Sequence, residues 1–367
     1  MKEEPMYVVH PACASRSVRI IMGAAMQVTF MTSTLVVSSA LVFGQTPPPF
    51  PAGSEPATAL EVAHGELVHG QEERAIDALR NLAAAQNPVR GANRELGIAY
   101  YRTAKLVEAE RSFAAAIAED PNDGESVQMR GLTLYRLGRS GDALPYLERA
   151  RKRNSASDVD ANYVLARCYI DAQRYADARF AFAAQYGLEP ESGAAYLMTA
   201  QMLLVLELPE VAAENASKAL QISPSIALAH FVLGKVYLAR GDTKHALEQF
   251  EAERNINPTY SPLYQFLGDL YIKAGQLKEA QHSLTQALSL DQSSTGPFIL
   301  MGRVFLDDND PQTAVSYLQH AEQMDASNFI THYLLGQAYR QMGRREDAKR
   351  ELDAVSKIHS GEIKPLQ

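Results

Sequence analysis

The stretch His230–Pro258, "HFVLGKVYLARGDTKHALEQFEAERNINP", decides the fold. It contains Arg240-Gly241-Asp242, the tripeptide of cell-adhesion ligands, yet apolar residues recur at helical spacing on both sides of it. Two helices joined at Gly241 account for the pattern. Glycine accepts the backbone geometry of a sharp turn, and an aspartate after it starts the second helix. The tripeptide is then a hinge between helices, provided that the unit recurs.

It does recur. Gly234, Gly268, Gly302 and Gly336 stand 34 residues apart. Stepping backward reaches Ala200 and Ala166, then, after one extra residue within 151–160, Gly131, Gly97 and Ala63. Twelve residues after each of these lies an alanine: Ala75, Ala109, Ala143, Ala178, Ala212, Ala246, Ala280, Ala314 and Ala348. Four residues further comes leucine or phenylalanine, with Ala216 the exception, and Pro121, Pro190, Pro224 and Pro258 close four of the units. Equivalent turns carry Gly138, Gly275 and Gly343. A small residue in the first helix lets its partner approach, the alanine marks where the second helix meets the first, and proline ends the second helix. One such pair cannot bury both faces, so pairs must stack.

At Leu233, Gly234, Tyr237, Ala246, Phe250 and Pro258 the chain resembles the tetratricopeptide repeat family. Leu96, Gly97, Tyr100, Ala109, Phe113, Ala116 and Pro121 match its motif more fully. The resemblance covers about residues 56–359 and implies an all-α fold, a right-handed superhelical solenoid of about nine helix–turn–helix units. Their expected bounds are near 56–89, 90–123, 124–158, 159–192, 193–226, 227–260, 261–294, 295–328 and 329–359, with a tail at 360–367. The column where the family often places tryptophan holds Tyr196, Tyr264, Phe298, His230 or His332. The first unit carries Glu66 at an aromatic column and is expected to be a frayed cap.

Residues 1–56 differ from this body. Arg16 and Arg19 precede the uncharged run Ile20–Gly44, and a proline-rich linker follows at 45–56. A positive flank, an apolar run and small residues before a break read as a signal peptide over 1–44. The run also reaches the length of a membrane span, so an uncleaved signal anchor is the alternative, and membrane contact is expected only through residues 20–44. Without residues 1–44 the chain has 32 basic and 41 acidic residues, a net charge of −9. That balance disfavours nucleic acid as a partner, because phosphate binding needs a basic face. Of the two cysteines only Cys168 lies in the body, among apolar helix positions, as expected of a small buried side chain.

No motif carries chemistry. Asp307–Asp310, "DDND", lacks the glycine and glutamate of an EF-hand loop and reads as a turn with a helix cap. His64 and His69 are five apart, His245, His282 and His320 fall on different columns, and His230 and His332 occupy an aromatic packing column. Asn215-Ala216-Ser217 fits a glycosylation acceptor but falls within a helix. The chain is therefore read as a non-enzyme with no metal or cofactor.

Function must then lie in surface. The resemblance implies that first helices line a concave groove for peptide or protein ligands. By column the groove receives Arg94, Tyr101 and Arg102, then Tyr135 and Arg136, then Tyr163 and Arg167. Later units add Phe231 and Lys235, then Lys273, Arg303, Tyr333 and Arg340. Basic groove positions within an acidic chain favour acidic segments of a partner. The family's chaperone-tail clamp would need asparagine where Ile98 and Leu132 stand, so that ligand is not expected. The leading expectation is a scaffold, exported to the periplasm or secreted, or anchored in the inner membrane with the repeats outside the cytoplasm. Assembly, secretion or polysaccharide export in a bacterial envelope would suit it. The alternative is a structural repeat protein that assembles with itself.

Overall fold

The computed structural model describes residues 56–152 and 159–361, so the signal-like segment and the tail after 361 lie outside the described residues. Eighteen helices and no strand occur among the described residues. The first seven are α1 (Pro56–Val68), α2 (Glu72–Ala84), α3 (Ala92–Arg102), α4 (Leu106–Glu119), α5 (Gly124–Arg136), α6 (Ser140–Lys152) and α7 (Val159–Asp171). There follow α8 (Tyr175–Gln185), α9 (Gly193–Val205), α10 (Pro209–Ile222), α11 (Ala229–Ala239), α12 (Thr243–Ile256) and α13 (Ser261–Lys273). The last are α14 (Leu277–Leu290), α15 (Thr295–Asp307), α16 (Pro311–Met324), α17 (Phe329–Gln341) and α18 (Arg345–Ser360). The chain divides into two compact units at 172/173; α1–α7 belong to the first and α8–α18 to the second.

Within each unit the recurring columns do what their sizes require. All nine alanines of the second helices are buried, eight of them fully. Opposite them, a Cβ added to Gly97 would stand 2.6 Å from the Phe113 ring, and one added to Gly268 or Gly302 would meet Leu284 or Leu318 at 2.6 or 2.4 Å. Each of these pairs is sixteen residues apart, so glycine in the first helix is the socket for the large side chain of the second. The Ala216 pair is small on both sides: its partner column holds Ala200, and both alanines are fully buried. A methyl group on each side replaces a hydrogen facing a large side chain. Alanine in that column does not by itself exclude a large partner, since Ala63 and Leu79 are both fully buried in the first pair. The fully buried Phe113 and Phe250 anchor their pairs, and burying such a ring contributes roughly 1.5–3 kcal/mol.

Every hinge between paired helices has one residue in the left-handed region. Gly70, Gly138, Gly241, Gly275 and Gly343 occupy that column with φ of 71–76°. Ala104, Gln173, Glu207 and Asn309 occupy it with φ of 58–62°, so the turn keeps its shape without glycine. Asp242 caps α12 by accepting from the His245 N–H at 3.1 Å, and Asp310 caps α16 through the Thr313 N–H at 3.1 Å. The adhesion-like tripeptide and the "DDND" run are both hinges.

Proline is not what stops the second helices. α14 and α16 end at the same column as their neighbours, with Asp291 and Asp325 in extended conformation and no proline there. The first pair is also not frayed: Ala63 and Leu67 of α1 bury against Ala75, Ile76 and Leu79 of α2. Leu67, one residue beyond Glu66, supplies the apolar body that the glutamate column lacks. Cys168 is buried in α7, and that burial pushes its thiol up to about 12, which keeps it protonated and inert.

Candidate functional surface

Successive first helices approach one another. α1 touches α3, α3 touches α5 and α5 touches α7 in the first unit; α9 touches α11, α13 touches α15 and α15 touches α17 in the second. No comparable approach joins successive second helices among the described residues. Rods that close up on one side and spread on the other form a curved stack, so in each unit the first helices line the inner face.

On the inner face of the first unit, Arg94 of α3 stands 3.5 Å from Glu95, 3.8 Å from Asp123 and 3.5 Å from Glu125. Its charge is compensated. Arg102 and Arg136, both exposed, behave differently. Arg102 donates to the Leu67 carbonyl at 2.7 Å, and Arg136 donates to the Tyr101 carbonyl at 3.4 Å. Each reaches the same position of the preceding first helix, and the Arg136 guanidinium also lies 4.5 Å over the Tyr101 ring. A backbone carbonyl satisfies a donor without cancelling its charge, and neither arginine has a carboxylate partner among the described residues. Tyr101, Arg102 and Arg136 thus form one cationic, aromatic patch. Tyr135, Tyr163 and Arg167 are half-buried beside it in sequence order, and the Arg167 Nε is buried without a hydrogen-bond partner.

In the second unit the expected column is only partly open. Phe231 is 3% exposed and packs with Phe250, Tyr260 and Phe266 at ring separations of 5.5, 5.1 and 5.4 Å. Its assignment to the groove is corrected: the next first helix, α13, covers that column. Leu197 and Ile299 in the same column are buried too, and Tyr333, after which no further first helix is described, is 44% exposed. Lys273 pairs with Asp269 at 2.7 Å and Arg303 with Asp307 at 3.8 Å. Lys235 has no carboxylate partner among the described residues; its ammonium sits 6.0 Å from the Phe266 ring, and burial pushes its pKa down. Arg340 is exposed.

Two features lay outside the sequence reading. Glu253 is fully buried and accepts from the N–H groups of Leu228 and Phe231, at 2.6 and 3.3 Å, closing the start of α11. Its signal was available, because the same column holds Ala116, Ala150, Ala219, Ala287 and Ala321. The second is a cluster of Glu322, His332 and Glu351. Its members come from α16, α17 and α18, so no spacing on one helix could announce it.

Tetratricopeptide repeat profiles match residues 63–124, 129–187 and 197–261, then 261–294 and 305–366. Among curated proteins no sequence matches the chain. Among solved structures, YrrB, described as a TPR protein with an unusual peptide-binding site, is 23% identical, covers 51% of this chain and 100% of its own, and has a TM-score of 0.44. MamA from Desulfovibrio magneticus RS-1, residues 41 to the end, is 17% identical over 47% of this chain and 97% of its own, with a TM-score of 0.43. The Cut9–Hcn1 structure is 14% identical over 83% of this chain and 81% of its own, with a TM-score of 0.41. Likenesses of this size carry no argument about ligand or role. With the repeat profiles matching most of its length, and with buried glycine, alanine and large apolar columns in phase with them, the chain belongs to the tetratricopeptide repeat family.

Proposed function

We propose that the chain is a non-enzymatic scaffold that holds partner proteins by acidic peptide segments laid across its first-helix face. The observation that carries this reading is the patch of Tyr101, Arg102 and Arg136, where two exposed guanidinium groups spend donors on main-chain carbonyls and leave their charge uncompensated. Arginine and tyrosine together supply charge, planar hydrogen bonding and rigid contact area, the features of binding hot spots. A ligand carboxylate supplies the missing counter-charge. Lys235, half-buried and lacking a carboxylate partner among the described residues, offers a separate anchor on the second unit.

The test is fluorescence anisotropy of the full chain with labelled Asp/Glu-rich peptides. Arg102→Gln with Arg136→Gln is expected to weaken binding roughly tenfold or more, with helical circular dichroism unchanged, and binding should fall as salt rises. Equal affinity in the double variant would sink the reading.

The scaffold works outside the cytoplasm, in the periplasm or envelope of a bacterium, where assembly, secretion or polysaccharide export would suit it. The support is the positive flank and uncharged run of residues 16–44, which lie outside the described residues. No described helix is long and apolar enough to cross a membrane. Protease added to spheroplasts expressing the full chain should degrade the repeats; full protection would end the export proposal.

A further inference from the structure

His332 of α17 is 5% exposed and meets two other helices. Its Nδ1 stands 2.9 Å from Glu351 of α18 and 3.9 Å from Glu322 of α16, and its Nε2 is 3.0 Å from the Ala326 carbonyl. A carbonyl only accepts, so Nε2 carries a proton and Nδ1 is the atom turned toward the two carboxylates. An unprotonated Nδ1 would oppose its lone pair to theirs in a buried setting. Something positive belongs between them: a proton, or a cation.

The three ligand atoms all lie within 4.8 Å of one another. Tetrahedral zinc with bonds of about 2.0 Å places its ligands about 3.3 Å apart, so the 2.9 Å pair must open by a few tenths of an ångström and the partly exposed Glu322 must swing inward toward both His332 and Glu351. Nε2–H on a main-chain carbonyl is the support that fixes the ring of a ligand histidine and selects Nδ1 as donor. Glu322, with 35% of its side chain exposed, opens the cluster to solvent and leaves room for a water ligand. The other positive group facing the cluster is Arg350, 3.6 Å from the second oxygen of Glu351, and so it does not occupy the oxygen aimed at His332.

The same column of another repeat supplies the contrast. His230 meets Gln249, nineteen residues on, at 2.7 Å, just as His332 meets Glu351 nineteen residues on. There the partner is a neutral amide, and no ligand cluster forms at His230 among the described residues. The histidine column alone makes a packing contact; two carboxylates turn it into a ligand set.

We propose that His332, Glu322 and Glu351 bind a divalent transition-metal ion of the zinc type through Nδ1 and one oxygen from each carboxylate. The ion replaces the proton on Nδ1 and ties α16, α17 and α18 together. Imidazole with carboxylates selects such ions over calcium or magnesium, which take oxygen ligands alone.

The experiment titrates ZnCl2 into the metal-stripped full chain by calorimetry in two buffers of different ionisation enthalpy, alongside thermal unfolding. One ion should bind per chain, with proton release and a raised melting temperature. Glu322→Gln should weaken binding roughly tenfold or more while the metal-free melting curve stays in place. A paired replacement, His332→Phe with Glu351→Tyr, installs the residues found at the same columns of the preceding repeat, Phe298 and Tyr317. It should fold and lose the site. Absence of one-to-one binding, or binding unchanged in both variants and hence owed to other histidines, would overturn the proposal.

Discussion

Gly234 lies beneath the ring of Phe250, so close that a Cβ on the glycine would stand 2.5 Å from the ring. Adding that methyl group overpacks a junction with no slack. Gly234→Ala is expected to cost about 1–3 kcal/mol, and Phe250→Ala about 3–5 kcal/mol. The two should not add, because Ala200 facing Ala216 shows that a methyl fits once the ring is gone. Amide exchange across α11 and α12 in both single variants and the double variant measures this. Equal cost of Gly234→Ala with and without the ring would contradict the socket.

The hinges predict opposite effects at one column. Nothing lies within 4 Å of a Cβ built on Gly241, whose φ is +74°, so Gly241→Ala costs backbone strain alone, about 1 kcal/mol. Glu207 already bears that strain, with φ of 59° and an exposed side chain. Glu207→Gly should therefore stabilise by roughly 0.5–1 kcal/mol despite the added freedom of the unfolded chain. Thermal unfolding reads both; a lower melting temperature for Glu207→Gly would count against the shared turn geometry.

The same columns show what sequence conveys and where it stops. Gly97, Gly234 and the nine alanines were legible because a missing side chain is a direct statement about a close approach. The partner of each glycine was legible too, as a large residue sixteen positions on. The hinge column was read only where it held glycine, since Ala104 or Gln173 at positive φ leaves no compositional mark. The surface was harder. A column shared by Arg94, Phe231 and Tyr333 has one backbone direction, but whether it faces solvent depends on the next first helix. Cation pairing was harder still: Arg94 and Arg102 sit about two turns apart on α3, yet one is surrounded by carboxylates and the other donates to a main-chain carbonyl.

Phe231 separates the groove expectation from the packing found. As part of the cluster with Phe250, Tyr264 and Leu267, its removal to alanine should cost about 3–5 kcal/mol. A groove residue would lose ligand and leave stability in place. Comparing Phe231→Ala with Tyr333→Ala, whose ring is 44% exposed, makes the test internal, since the latter should melt within about 0.5 kcal/mol of the parent.

Glu253 gives the second unit a pH signature. Burial raises its carboxyl above the ordinary glutamate value of 4.5, and the N–H groups of Leu228 and Phe231 pull it back only in part. A folded value above the unfolded one means that the folded chain holds the proton more tightly. The stabilising share of Glu253 is then whole below 4.5 and is lost as pH rises through the raised folded value. Glu253→Ala restores the alanine of the other repeats but leaves two amide donors at the start of α11 without their acceptor, at about 1–3 kcal/mol. The difference in stability between parent and variant should therefore be largest near about pH 4 and shrink toward about pH 7.5. Urea unfolding of both proteins across that range decides it. A difference that grew with pH would mean that the ionised carboxylate is the form the fold prefers.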